Sequence, residues 1–157
     1  MPVVTMIAGP NGSGKSTLKA YLEARGADFG EWLNADELAR SLTGSAEARS
    51  LQAQERVRAA RIAAMQSGRD YCFETVMSHA SHIDHLREAR RAGYIVQFIY
   101  VCTDDPRINI QNVSNRVAEG GHDVPQERIV SRHARSLANL PLAVEVSNRG
   151  WLFDNSD

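Results

Sequence analysis

The chain has 157 residues, 43% of them hydrophobic and 24% charged, with a net charge of −1 at pH 7. That is one domain's length, enough to bury roughly 68–70% of the unfolded surface without disulfides or a metal. The composition excludes a disordered chain, and the balanced charge lacks the basic footprint of a dedicated nucleic-acid binder. The longest apolar stretch, Tyr94–Cys102, falls far short of the ~20 residues that span a bilayer. No basic segment precedes the apolar run at the N-terminus, so no secretory signal is expected. Cys72 and Cys102 each sit in an apolar run and are expected to be reduced core thiols of a cytoplasmic protein.

In chain order, Val3–Ala8 is a short apolar run that stops at the turn cluster Gly9-Pro10-Asn11-Gly12. Thr17–Arg25 carries Leu18, Tyr21 and Leu22 at helical spacing. Trp32-Leu33-Asn34 is a short strand. Ser45–Gln66 lacks Pro and Gly and predicts a long helix closed by Gly68. Tyr71–Val76 reads as a buried strand, and Ser81–Arg91 as a helix capped by Ser81 and closed by Gly93. Tyr94–Cys102, rich in β-branched and aromatic residues, is the strongest strand. Pro106–Ala118 and Pro125–Ala138 predict helices with Pro in the first turn, joined by Glu119-Gly120-Gly121-His122. A last helix, Leu140–Val146, leads to a strand at Trp151–Phe153. Strands alternating with helices predict a parallel sheet covered on both faces, with ligands at the carboxyl ends of the strands.

Of the 18 basic residues only Lys15 and Lys19 are lysines, and Lys15 closes a motif. Gly9-Pro10-Asn11-Gly12-Ser13-Gly14-Lys15-Ser16 matches the phosphate-binding pattern G-x4-G-K-[ST] between a strand and a helix. Glycines let the loop curl so that its N–H groups, from Gly9 to Thr17, point at phosphate oxygens, and the helix dipole favours the same anion. Lys15 would reach the β- and γ-phosphates and Ser16 would ligate Mg²⁺. A Gly-rich turn with no ligand is the bland alternative. The motif implies ATP or a similar triphosphate with Mg²⁺ and leaves the acceptor open. The expected architecture is an α/β P-loop NTPase three-layer sandwich: one domain, a mainly parallel five-stranded sheet, and a helical lid over about residues 104–138.

On the acceptor side, Asp36 follows the second strand and opens a helix. It is either the base that takes a proton from an incoming hydroxyl or only a helix N-cap; Glu37, a quarter-turn on, is expected to be solvated. Glu74 is costly to bury in the strand YCFETV unless it binds something. It would hold a substrate hydroxyl or a Mg²⁺-bound water, with Thr75 donating a hydrogen bond, or else pair with an arginine. Arg107, Arg116, Arg128, Arg132 and Arg135 flank the Gly120-Gly121 hinge, where one could stabilise a transferring phosphoryl group; Arg128, Arg132 and Arg135 could equally form one solvated face. His79, His82 and His85 are too spread for a metal site and are expected to be exposed or capping.

These segments together resemble the zeta toxin family of P-loop kinases over nearly the whole length. AGPNGSGKSTL, WLNADELAR, FETVMS, RVAEGGHDVPQERIVSRHARSLANL and the closing LFDNS carry the resemblance. It implies an ATP-dependent kinase that phosphorylates a small-molecule hydroxyl, UDP-N-acetylglucosamine in characterised relatives, and an antitoxin protein as a partner. It implies Lys15 and Ser16 serving ATP and Mg²⁺, Asp36 as general base, Glu74 and Thr75 facing the acceptor, and Arg116 as a lid arginine. Larger members carry a second arginine before the lid proline. Here that stretch reads Gly121-His122-Asp123-Val124-Pro125, so His122, Arg132 or Arg135 would supply the charge. Two other classes compete with this one: a nucleotide-binding module that acts by association without phosphotransfer, and a nucleoside or polynucleotide kinase.

Overall fold

In a computed structural model that describes residues 1–121 and 123–157, the apolar runs become five strands and the stretches between them six helices, counted among the described residues. The order is β1 (Val3–Ala8), α1 (Lys15–Glu23), β2 (Glu31–Leu33), α2 (Ala35–Arg40), α3 (Ala46–Gln66), β3 (Tyr71–Thr75), α4 (Ser81–Arg91), β4 (Ile95–Cys102), α5 (Pro106–Ala118), α6 (Gln126–Val146) and β5 (Arg149–Asp154). The strands form one sheet in the order β2-β3-β1-β4-β5, every pair parallel. Strand β1 lies in the middle, paired with β3 on one side and β4 on the other. The connection after β1 therefore leaves at the point where strand order reverses, which is where an open parallel sheet forms its ligand crevice.

The period-2 alternation of the strands divides the core between the two faces. Val4, Met6, Tyr71, Phe73, Val96 and Phe98 face α3, α4 and α6, while Ile7, Cys72, Ile99 and Val101 face α1 with Phe29, Trp32 and Phe153. Burying a side chain such as Phe73 or Phe98 stabilises the fold by roughly 1.5–3 kcal/mol. A smaller cluster of Val113, Val124 and Ile129 joins α5 to α6. Both cysteines are free, Cys72 buried and Cys102 half-buried. Among the described residues no helix is long and apolar enough to cross a membrane.

Three local expectations are corrected. Helix α6 runs unbroken from Gln126 to Val146, joining two segments that the sequence separates, with Pro141 inside it. Its buried residues Ile129, His133, Ser136, Ala143 and Val146 form one continuous stripe; packing of that stripe outweighs the hydrogen bond Pro141 cannot donate. Helix α4 starts at Ser81 but is not capped by it: Ala80 holds the cap position with no side-chain bond. The preceding loop is fixed by tertiary contacts instead. The Thr75 hydroxyl accepts from the Met77 N–H at 2.9 Å, and the Asn139 amide donates to the Met77 carbonyl at 3.0 Å. The third correction concerns the histidines. His85 is buried and shares a 2.7 Å hydrogen bond with the Tyr71 hydroxyl. His82 is half-buried, stacked on Phe73 and 3.2 Å from the Thr75 hydroxyl. Both are packing residues of the sheet face, because α4 turns them toward β3.

Candidate functional site

Residues 9–14 leave β1 as a tight loop and enter α1. Gly14 caps α1 in the left-handed conformation (φ 96°) and no side chain caps the first turn. The first N–H groups of a nine-residue helix are thus open to an external acceptor. Glycine is required at two positions for space as well as for φ. A Cβ on Gly9 would collide with the Val101 carbonyl, and one on Gly12 (φ 73°) would lie 2.5 Å from the Asn109 carbonyl.

Lys15 is buried and folds back over the loop. Its Nζ donates to the Gly9 carbonyl at 2.7 Å and to the Pro10 carbonyl at 3.0 Å, and it stands 3.8 Å from Glu74 Oε1. Burial pushes the Lys15 ammonium down and the Glu74 carboxyl up, each toward its neutral form; their mutual attraction opposes both shifts. Ser16 and Thr17 are exposed at the mouth of the loop.

Four asparagines that the sequence reading did not single out hold this region, three of them clasping the loop from behind. Asn109 of α5 is fully buried and donates to the Asn11 carbonyl (2.7 Å) and to Ser13 Oγ (2.9 Å), while accepting from the Thr103 hydroxyl. Asn112, one turn on, donates to the Gly12 carbonyl at 2.8 Å. Asn155, just beyond β5, donates to the Ser13 carbonyl at 2.9 Å. The fourth, Asn34, lies on the other side of the cleft. It caps α2, its Oδ1 accepting from the Asp36 N–H (2.8 Å) and the Glu37 N–H (3.2 Å), and its Nδ2 donates to Glu74 Oε2 at 2.9 Å. The polar pair Asn109 and Asn112, three apart on one helix face, was the available signal for the clasp.

A cleft of about 800 Å³ opens at the carboxyl edge of the sheet, walled by the loop, α1, β5 and α5. Lys15, Ser16, Thr17, Glu74 and Arg116 give it a polar end; Leu18, Tyr21, Val101 and Phe153 give it an apolar one. Asp36 is not the cap of α2, since Asn34 holds that place. Its carboxylate is exposed, and its N–H bonds the Asn34 amide that also holds Glu74 of the cleft lining. Glu37 is exposed but accepts a 3.0 Å hydrogen bond from Trp32 Nε1. The Thr75 hydroxyl turns inward to Met77 and His82, away from the role of donor to an acceptor molecule.

The arginines separate. Arg116 lines the cleft. Arg132 is half-buried and donates to the Asn11 side chain at 3.3 Å, so it faces the loop rather than a solvated surface. Arg135 bonds along its own helix, to Ser131, and Arg107 is an exposed partner of the α5 cap Asp105. His122 lies outside the described residues. Among those residues no group of three or more His, Cys, Asp and Glu side chains forms a metal cage.

The AAA_33 family of AAA domains matches residues 4–139. Among solved structures, the chain is similar to one from the PezAT chromosomal toxin–antitoxin system of Streptococcus pneumoniae: TM-score 0.68, 15% identity, 98% of this chain and 68% of that one. It is also similar to the complex of AvrRxo1-ORF1 and -ORF2 with ATP: TM-score 0.66, 18% identity, 92% of this chain and 50% of that one. Shikimate kinase from Acinetobacter baumannii, in complex with shikimate, gives TM-score 0.55 and 16% identity over 96% of this chain and 83% of that one. The chain thus spans about half the AvrRxo1-complex chain and most of the shikimate kinase chain. No curated protein sequence matches. These likenesses carry the fold, that of the P-loop kinases. The match over residues 4–139 makes the chain a member of the AAA_33 family of AAA domains.

Proposed function

We propose that the protein is an ATP-dependent kinase that moves the γ-phosphoryl group to a hydroxyl of a small molecule, as in the zeta toxin family that its motifs resemble. One observation carries this reading. Lys15, at the open α1 N-terminus, stands 3.8 Å from the partly buried Glu74, and Asn34 ties Glu74 to the backbone N–H of a second residue with a carboxylate, the exposed Asp36. A module that only holds nucleotide has no use for that pair. The phosphate tail would lie on the loop N–H groups, with Lys15 leaving the Gly9 and Pro10 carbonyls for phosphate oxygens. Asp36 would accept the proton of the incoming hydroxyl. Arg116, on the cleft wall, and Arg132, against Asn11, would balance charge spreading onto the transferring group; on this reading Arg132, rather than Arg135, would stand in for the second lid arginine. Together α5 and the first half of α6 would act as the lid.

The donor set fits Mg²⁺. The Ser16 hydroxyl is a hard oxygen donor beside the phosphate site, Glu74 would accept from a water of the ion's shell, and Mg²⁺ is commonly held by one or two protein oxygens with phosphates and water. When bound, the ion would neutralise charge on the β- and γ-phosphates.

The test is a screen of hydroxyl compounds with purified protein, ATP and Mg²⁺, nucleotide sugars and nucleosides included. Transfer to at least one acceptor is expected, with Asp36→Asn lowering it by about 100-fold or more while ATP affinity stays near that of the native protein. ATP held without transfer to any acceptor, and unaffected by Asp36→Asn, would favour a role by association with a partner protein such as an antitoxin.

A further inference from the structure

We infer that Asn34 is a positioning residue of the transfer site, its single amide orienting Glu74 and the backbone that carries Asp36. The inference rests on the kinase reading for its meaning but on hydrogen bonds for its content. The amide is used at both ends. Oδ1 takes the N–H groups of Asp36 and Glu37, which holds the first turn of α2 in place. Nδ2 donates to Glu74 Oε2 at 2.9 Å. With Oε2 occupied, the other oxygen, Oε1, is the one turned toward Lys15, 3.8 Å away. The carboxylate is thereby fixed about its last torsion, which is otherwise broad. One side chain thus locks together a strand end (β3), a helix start (α2) and the loop lysine, three segments distant in sequence.

A plain helix cap would not do this. Asn and Asp are about equally good caps, so a capping role would tolerate aspartate. The Nδ2 donor has no counterpart in Asp. At the same place a carboxylate oxygen would stand within hydrogen-bond distance of Glu74 Oε2, and the two would have to share a proton. The groups around Glu74 are Lys15 and Arg116, which favour its charged form, and Asp36 and Glu37, which disfavour it. Asn34→Asp adds one more carboxylate to the second set.

The experiment compares the native protein, Asn34→Asp and Asn34→Ala in two ways. The first is titration of the Glu74 carboxyl by isotope-edited NMR, which needs no turnover. The second is the pH profile of kcat and KM with whichever acceptor the screen finds. For Asn34→Asp the Glu74 midpoint, and with it the acid limb of kcat, is expected to rise by about one pH unit or more, so that kcat at a pH well below both midpoints falls by about tenfold or more and recovers as pH rises. Thermal stability should be nearly native. Asn34→Ala should lose stability through the missing cap and show a smaller rise of the midpoint. An Asn34→Asp protein whose Glu74 titration superimposes on the native one would overturn the inference even if the kinase reading holds. Absence of transfer in the native protein would remove the kinase reading and leave the titration to decide the role of Asn34.

Discussion

At the scale of single residues, charge and burial are set against each other around the cleft. Lys15 and Glu74 are each held away from their ordinary ionisation by burial and drawn back by the other. The two α4 histidines show burial winning outright. His82 and His85 are each pushed down to about 4, first by burial and then by the Arg61 charge nearby. Their ordinary value is 6.5, so between about pH 6.5 and 4 the unfolded chain binds protons there that the folded chain does not. Stability must then rise with pH across that window and fall as pH drops through it. Urea midpoints taken from pH 7 to pH 4.5 should decline steadily. His85→Gln, which keeps a polar partner for the Tyr71 hydroxyl, should flatten part of that decline. An unchanged slope would show that His85 is already charged in the fold.

At the scale of elements, most of the strands and helices were legible because periodicity and turn chemistry agreed. β1 and β4 are apolar runs stopped by turn residues, and α3 is a stretch without Pro or Gly, opened by Ser45 as cap. What escaped was decided by contacts between segments. Nothing local tells that α6 passes through Pro141 or that Ala80 rather than Ser81 holds the cap of α4; the Asn34 cap, by contrast, is local and lay open to asparagine's own capping preference. The phosphate loop and Glu74 could be read because their residue types are uncommon where they stand. The asparagines that hold the loop are ordinary residues whose partners lie up to 142 positions away. Asn109 is the sharpest case. Replacing it by Ala would strand the Asn11 carbonyl and Ser13 Oγ behind the loop, while the Thr103 hydroxyl keeps the Asp105 carbonyl as acceptor. At about 1–3 kcal/mol for each group left without a partner, discounted because water can reach the half-buried Asn11, a loss of roughly 2–4 kcal/mol is expected. Denaturant unfolding measures it, and Asn109→Asp, which sets a carboxylate against the Asn11 carbonyl in the same buried place, should lose at least as much.

At the scale of the whole molecule, the site belongs to no single segment. The loop after β1, the cap of α2, the end of β3, the inner face of α5, Arg132 of α6 and the tail of β5 meet only when the sheet is complete. The unfolded chain keeps the eight-residue motif but none of its partners, so it should hold ATP hardly at all. A ligand that binds only the folded state stabilises it by RT ln(1 + [L]/Kd), about 2.7 kcal/mol at 100 times Kd. For a domain of 150–250 residues each kcal/mol moves Tm by about 2–4 °C. Saturating Mg²⁺-ATP should therefore raise Tm by roughly 5–10 °C, with the increment growing with the logarithm of ATP concentration. In Lys15→Ala the loop loses its buried cation, and the increment, measured against that variant's own lowered ligand-free Tm, should shrink to near zero. A full Tm increment in Lys15→Ala would mean that nucleotide sits elsewhere in the fold. An increment missing from the native protein would mean that the open helix end takes a smaller anion than a triphosphate. Scanning calorimetry with ATP, ADP and inorganic phosphate in parallel separates these outcomes, because only a site spanning the loop and the apolar wall of Tyr21 and Phe153 should rank them in that order.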